Sequence, residues 1–470
     1  MKVTTDAGVD AKAALHSFWQ LGDGDPAALE AVTFSDTGLQ LPSVFPVGVL
    51  AAASIAAQAL GAAEIWKLRS GQRQQIAVSM RRALTMFRSE RYLTVDGKPP
   101  AEIRSPLTGY FQAGDGRWIQ LHTNFPHHRD GVLRVLQCEG NFAAVAAAIK
   151  AWNAAELDAR LAQEGMCAAL IRSRQEWQAH PQAVAIAGLP LLEILRIGDA
   201  PAEAFDKADA SRPLSGVRVL DLSRVIAAPV AGRTLAQHGA DVMAISAAHL
   251  PNIAPLVIDT GRGKRSAQID LRMEAGKEKL LDLVRDADVF LQAYRPGSLA
   301  GLGLSPEELC KLRPGLIQVS LSAYSHAGPW ATRRGFDSLV QSATGIAHEE
   351  GEAAGLAEPG KLPCQALDHA TGYLAAFGAM IALKRRAEQG GSWLVRVSLA
   401  QTGRWLQSQA RLPSAQAIAE LTPQEIAASL QITESPFGQV SAVAPVEQMS
   451  VTPAGFDKPP VPLGTHQASW

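Results

Sequence analysis

The sequence predicts an α/β protein in which a doubly wound, Rossmann-like parallel sheet occupies the second half of the chain and a smaller α+β domain precedes it. Three observations lead there. From Val217 onward, short apolar strands alternate with helical segments, the order that a parallel sheet with right-handed crossovers requires. Upstream, Gly114-Asp115-Gly116 separates two runs rich in β-formers, which is a hairpin signal. Between the two regions lies PAEAFDKADASRP at 201–213, a polar linker that marks the main boundary.

Residues 1–40 show a modest helical pattern followed by acidic and glycine-containing turns, without a motif, and read as an N-terminal extension. Segment 41–104 opens with an Ala-rich helix over 47–69, which Ser70-Gly71 stops, and continues into QQIAVSM at 74–80, whose alternation suits a half-buried strand. Residues 105–200 hold the hairpin, then helical patterns and a closing GLPLLEI strand. The large domain, 214–405, reads VRVLDLS, a helix over 229–238, ADVMAIS, AQIDL, a helix over 274–285, DVFLQAY, a helix over 306–311 and LIQVSLSAY. It ends on an Ala-rich helix over 368–386, a Gly390-Gly391 stop and the strand LVRVSLAQ. Residues 406–470, rich in Pro and Gly towards the end, read as a tail wrapped over another surface.

The helix, glycine stop and strand near residue 390 repeat those of 41–104. Aligning Ser79 with Ser398 places Gly71 on Gly390, and LPS at 41–43 falls close to LPC at 362–364. The first copy is degenerate, with Val49 where the second has Asp368.

The 470 residues are 47% hydrophobic and carry a formal net charge of −1, so cores are well supplied and no global field draws the chain to nucleic acid or an anionic membrane. Any anionic ligand must be caught locally. Cys138, Cys167, Cys310 and Cys364 show neither CxxC nor His-rich spacing, which argues against a metal site or disulfide framework and for a cytoplasmic location. The N-terminus lacks the apolar core of a signal peptide, and the apolar stretches are too Ala-rich and interrupted to predict a membrane span.

No GxGxxG, Walker A loop, GxSxG elbow or HExxH helix stands where it would need to be. A parallel sheet binds ligands beyond the carboxyl ends of its strands, here the SRVIAAP, QAYRPG and SAYSHAGP loops. The first opens a helix, whose N–H groups with Arg224 suit a phosphate; an ordinary strand-to-helix turn would look the same. Arg262, Lys264 and Arg265, just ahead of the AQIDL strand, suit phosphate oxygens or form a solvated charge run. Asp368 opens an Ala-rich helix, whose N-terminus keeps a carboxylate ionised and offers N–H groups to an oxyanion. It reads as an N-cap or as a carboxylate nucleophile.

Read together, GVRVLDLSRVIAAPVAGRTLAQHGADV, DTGRGKRSAQIDL, DADVFLQAYRPGSLAGLGLSPEEL, SLSAYSHAGPWATRRGFDSLVQSATGI, the Asp368 helix with its glycines and VRVSL, and the C-terminal tail resemble the class III CoA-transferases, the family of carnitine and formyl-CoA transferases. Six blocks stand in register. The order departs from the family's: PLTGYFQAGDGRWIQL, which opens the family's small domain after the aspartate helix, lies upstream at 106–121, so the chain resembles a rearranged tandem duplication that behaves as a circular permutation.

The resemblance implies a CoA-binding large domain and a transferase that moves CoA between carboxylic acids through an aspartyl anhydride and an aspartyl-CoA thioester, with Asp368 as nucleophile. It implies no tightly bound cofactor and no metal, a CoA thioester as substrate, a carboxylic acid as acceptor and a homodimer as the assembly. Arg224, Val225 and Ile226 fall near the CoA nucleotide, Tyr294 against the adenine and Tyr324 near the CoA arm. Ala293 and Ser322 replace polar or cationic contacts of some relatives, for which Arg295 and the Arg262, Lys264 and Arg265 cluster compensate. Acyl-CoA racemases share the family, but their histidine position is Phe336, which transfers no proton, and His369 beside Asp368 points elsewhere on the helix. A non-catalytic CoA-binding protein is the third reading. Trp330, Trp393 and HTNFPHHRD at 122–130 are read as packing and surface residues rather than pocket lining.

Overall fold

The computed structural model describes residues 10–101, 104–206, 210–412 and 419–470. Residues 207–209 of the expected linker, 413–418 of the expected tail and 1–9 of the expected extension lie outside them. The chain is a mixed α/β structure built on a seven-stranded sheet. Its strands are β1 (Leu192–Gly198), β2 (Arg218–Leu222), β3 (Asp241–Ser246), β4 (Lys264–Gln268), β5 (Val289–Gln292), β6 (Ile317–Ser322) and β7 (Ser392–Ser398). They lie in the order β4-β3-β2-β5-β6-β7-β1, all parallel except the β1 edge. Chain order runs outward from β2 in one direction through β3 and β4, and from β5 in the other through β6 and β7. The carboxyl ends of β2 and β5 therefore flank a crevice that no crossover helix fills.

β1 begins within the expected GLPLLEI strand and runs past it to Gly198. It closes the large sheet instead of the small domain, so the unit expected at 105–200 gives up its last strand to its neighbour. What remains upstream is a three-stranded antiparallel sheet of Gly109–Gln112, Trp118–Leu121 and Ala168–Leu170, with helices packed on it. Its hairpin turns at Gly116, whose φ of +81° favours glycine.

The repeat is explicit in three dimensions. Helix α1 (Val47–Ser70) and helix α4 (Ala366–Gln389) are each 24 residues long, and their equivalent third residues are Val49 and Asp368. Each ends at a glycine with positive φ, Gly71 or Gly390, and runs into a strand. The serine that ends each strand, Ser79 or Ser398, caps the next helix by accepting a backbone N–H. The repeat also reaches further back than the boundary expected at residue 40. Strand Val32–Ser35 pairs in parallel with Ile76–Ser79, Ser35 opposite Ser79, as β6 pairs with β7, Ser322 opposite Ser398.

α1 and α4 pack directly on each other, and α2 (Ala227–Gln237) packs on α4 as well. Both long helices are apolar enough in length and composition to cross a membrane, but 94% and 100% of their apolar windows are buried inside the protein. Each fully buried Leu, Ile or Phe in this core contributes about 1.5–3 kcal/mol. The tail crosses the sheet edge: His466 N–H donates to the Ser266 carbonyl of β4, and Trp470 lies under Arg218 and Arg265.

One core carboxyl makes a pH prediction. Glu350 is buried and accepts from Ser43 Oγ of the first repeat; burial raises it to about 7. Its folded-state pKa lies above its unfolded value, so the folded protein holds the extra proton from about pH 4.5 to 7, and stability falls as pH rises through that window. Glu350→Gln is expected to stabilise the protein by on the order of 1–3 kcal/mol at pH 8 and little at pH 4, read from urea midpoints at the two pH values.

Candidate active site

A cavity of about 500 Å³ opens at the carboxyl ends of β2, β5 and β6. Arg224, Val225 and Ile226 after β2, Tyr294 and Arg295 after β5, and Asp368 from α4 all line it. Six residues named from the sequence are thus brought together.

The loop after β2 is bent sharply. Val225 has φ +74°, a conformation that a β-branched residue adopts only under strain, and such strain gathers at binding and catalytic sites. The bend aims the N-terminus of α2 at the cavity. No side chain caps this end, and Ala227 and Ala228 line the wall, which leaves an uncapped helix N-terminus at the cavity. Arg224 stands beside it, donating to the Pro251 carbonyl and lying 5.4 Å from the Phe125 ring centroid.

Asp368 is the third residue of α4, not its cap; Gln365 holds the cap position without a side-chain hydrogen bond. Its N–H donates instead to Asp337 Oδ2 at 2.9 Å. Asp337 opens α3 (Asp337–Thr344) and also accepts from the Gln341 amide. The expectation that the helix end keeps Asp368 ionised is corrected: burial raises its carboxyl well above the usual range, and the neighbouring Asp337 and Glu90 charges raise it further. Burial likewise raises Asp337 to about 6, against the hydrogen bonds it accepts. The Asp368 side of the cavity thus carries a carboxylate that gains by losing its charge.

The other charged residues of the lining are cationic. Arg333 and Arg334, next to the Gly335-Phe336-Asp337 segment, line the cavity with Arg295, and among the described lining residues Asp368 is the one carboxylate. Arg333 is held by Asp158 at 2.5 Å. Arg334 donates to His128 Nε2 at 3.1 Å and meets no carboxylate within 4 Å among the described residues, and its buried Nε has no partner. Burial, with His127 and Arg334 close by, lowers His128 to about 3, so the ring is neutral and accepts. His127, His128 and Phe125 bring HTNFPHHRD to the cavity, correcting its reading as packing and surface alone. Cys167, also from the small domain, lies 3.6 Å from His128 Nε2.

Four sequence-named residues do other work. Arg262 donates to Asp259 and to the Val443 carbonyl, fully buried. Lys264 is buried on Asp221 at 2.7 Å and the Pro229 carbonyl. Arg265 forks onto Asp241 and reaches the Ser469 carbonyl. Arg262 sits in the turn ahead of β4, which begins at Lys264; Arg262 is taken up by Asp259 three residues earlier, and Lys264 and Arg265 by Asp221 and Asp241 from neighbouring strands. Lys264 and Arg265 do reach an adjoining cavity of about 80 Å³, which shares Arg224 and Ser223 with the large one. Tyr324 is 1% exposed and packs edge-on against Trp330, away from the cavity that its neighbour Ala323 lines. Trp393 donates to the Gly390 carbonyl as a packing residue. Tyr294 also borders an apolar recess of about 170 Å³ with Ile245, Ile269 and Leu299.

Arg333, Arg334, Asp337, Glu90 and Cys167 were not singled out from the sequence. They come from segments far apart in the chain, and the only available signal was the ArgArg ahead of Gly335-Phe336-Asp337.

Residues 214–429 match the family model described as CoA-transferase family III. An acetyl-coenzyme A transferase of Hypoxylon pulicicidum is 36% identical over 199 residues, 42% of this chain and 34% of that protein. A probable fatty acyl-CoA transferase of Mycobacterium tuberculosis is 34% identical over 205 residues, 41% of this chain and 52% of that protein; its solved structure overlaps 42% of this chain and 58% of its own with a TM-score of 0.39. A mouse succinyl-CoA:glutarate CoA-transferase is 32% identical over 186 residues, 37% of this chain and 42% of that protein. The chain thus spans a third to about half the length of these relatives. The part of the chain that resembles CoA-transferase family III, residues 214–429, includes the β2 loop, α4 and the Asp368 carboxylate.

Proposed function

We propose that the protein moves coenzyme A between carboxylic acids, with Asp368 as the acyl-accepting nucleophile and the doubly wound sheet as the CoA-binding platform. The observation that carries this reading is the Asp368 carboxylate lining a 500 Å³ cavity whose other charged lining residues are arginines. An Asp368 oxygen attacks the thioester carbonyl, the C–S bond breaks, and CoA leaves as thiolate from an acyl-aspartyl anhydride. The thiolate attacks the Asp368 carbonyl, expelling the first acid and leaving an aspartyl-CoA thioester. The acceptor carboxylate displaces the thiolate to form a new anhydride. Thiolate attack on the acceptor's carbonyl then releases the new CoA ester and restores Asp368. No net proton is required.

The uncapped end of α2 and Arg224, Arg295 and Arg334 supply anion contacts for the CoA phosphates, and the recess beside Tyr294 suits a flat base. Names given to relatives, for acetyl, fatty acyl and succinyl transfer, support a carboxylic acid as acceptor without choosing one. Racemisation would need a proton carrier facing the substrate; Phe336 lines the cavity where the family's racemases place it, and His369 is turned towards Glu90. A homodimer as the assembly and a cytoplasmic location belong to the same reading.

The test is trapping. Incubation with an acyl-CoA panel and hydroxylamine is expected to leave a hydroxamate on Asp368, read by peptide mass spectrometry. An unmodified Asp368 peptide across the panel would defeat the proposal.

A further inference from the structure

Asp368 shows one face to the cavity; what stands behind it belongs to the first repeat. Segment Phe87–Tyr92 follows that repeat's strand and capped helix and lies against the first turns of α4. His369 donates from Nε2 to Glu90 Oε2 at 3.2 Å, and its ring stacks on Phe87 with centroids 5.3 Å apart. One turn on, Tyr373 stacks on the same Phe87 ring at 6.2 Å. Ser89 hydrogen-bonds Asp259 at 2.6 Å, and Asp259 pairs with the buried Arg233 of α2, while Arg88 donates to the Pro363 carbonyl just ahead of α4. The segment is thus fastened to both helices that frame the cavity. His369 Nδ1 is buried without a partner, so Glu90 is the hydrogen-bond partner that orients the ring.

We infer that Glu90 is a positioning residue for Asp368: through His369 it fixes the first turn of α4, and its charge behind Asp368 favours loss of the Asp368 charge on acylation. The degenerate repeat then has a task in the chemistry although its own nucleophile position is Val49. The charged groups facing this spot are Asp337 from α3, Asp259 from Ala254–Thr260, Arg233 from α2, and Arg91, whose Nε lies 3.7 Å from Glu90 Oε1. Asp259 is spoken for by Arg233 and Arg262, which leaves Asp337 and Glu90 as the carboxylates acting on Asp368.

This inference rests on the transferase reading for its rate readout but not for its titration readout. Glu90→Gln keeps the shape and removes the charge. The Asp368 carboxyl, followed by ¹³C NMR with Asp368→Asn as the assignment control, is expected to titrate about one pH unit lower in Glu90→Gln than in the unaltered protein. With an acyl-CoA substrate, kcat is expected to fall about tenfold with KM within about twofold, and the acid limb of the pH profile to move down with the titration. His369→Gln breaks the same hydrogen bond and leaves the charge, so kcat falls while the titration midpoint does not. An unmoved midpoint in Glu90→Gln, or a midpoint that drops equally in His369→Gln, overturns the inference. Failure of any acyl-CoA to react with Asp368 would remove the transferase reading alone, since the midpoints are read without turnover.

Discussion

Asp368→Asn is expected to lower CoA exchange between an acyl-CoA and an acceptor acid by at least about 10³-fold, because an amide oxygen forms neither the anhydride nor the CoA thioester. The same substitution is expected to leave the fold at least as stable at pH 8. Asp368 is 7% exposed, and its carboxyl is raised by burial and by Asp337 and Glu90, so ionising it costs the folded state free energy that asparagine does not. The sign is fixed by linkage: with the folded pKa above the unfolded one, stability contributed by the protonated form is present at low pH and lost as pH rises. Asp368→Asn and the unaltered protein therefore should converge in thermal midpoint near pH 4 and separate above it. Exchange within tenfold of the unaltered protein, in chromatography of the CoA esters, would end the case for Asp368 as nucleophile.

A larger structural effect is expected from Gly372→Ala. Gly372 sits one turn after Asp368 on the same face of α4, where a Cβ would lie 2.3 Å from the Ala227 carbonyl oxygen and 2.9 Å from Val230 Cβ. Ala227 is the first residue of α2, whose N-terminus lines the cavity. This close approach is what brings the α2 N–H groups and the Asp368 carboxylate to one place. Alanine is the better helix former by about 1 kcal/mol, so the bare propensity would favour the substitution. The obstacle is backbone and cannot rotate away, and overpacking is expected to cost about 1–3 kcal/mol net. A displacement near 1 Å between donors and nucleophile is expected to lower kcat/KM on the order of 10²-fold. Gly61 of α1 is the internal control, since its Cβ would meet Met380 and Phe377 at an ordinary 3.4 Å. Gly61→Ala is expected to be neutral or stabilising. Equal melting temperatures and rates for the two variants would sink the argument.

The large sheet was legible in the sequence because its strands are buried on both faces and read as continuous apolar runs between amphipathic helices. The strands VRVLDLS, ADVMAIS, DVFLQAY and LIQVSLSAY stand where they were expected. Asp368 at the start of an Ala-rich helix could be read from the sequence as a cap or a nucleophile; the structure sets it at the third position of α4, lining the cavity. Arg262, Lys264 and Arg265 misled. Whether Lys264 and Arg265 are ligand contacts or halves of ion pairs depends on Asp221 and Asp241, which only folding brings to them, while the local Asp259 takes up Arg262. Val32–Ser35, at four residues, carries too few alternations to declare itself a strand before its partner Ile76–Ser79 is known. Glu90 gave no sign, being an ordinary surface-type residue until the repeat closes around it, and Arg334 gave only its place in the ArgArg ahead of Gly335.

The valine at position 49 fixes a stoichiometry. Two copies of the helix framework share one interior, and the third position of the helix carries a carboxylate in the second copy alone, so the proposed reaction predicts one mole of acyl acceptor per chain, not two. On that reading duplication has multiplied scaffolding without adding a second acceptor.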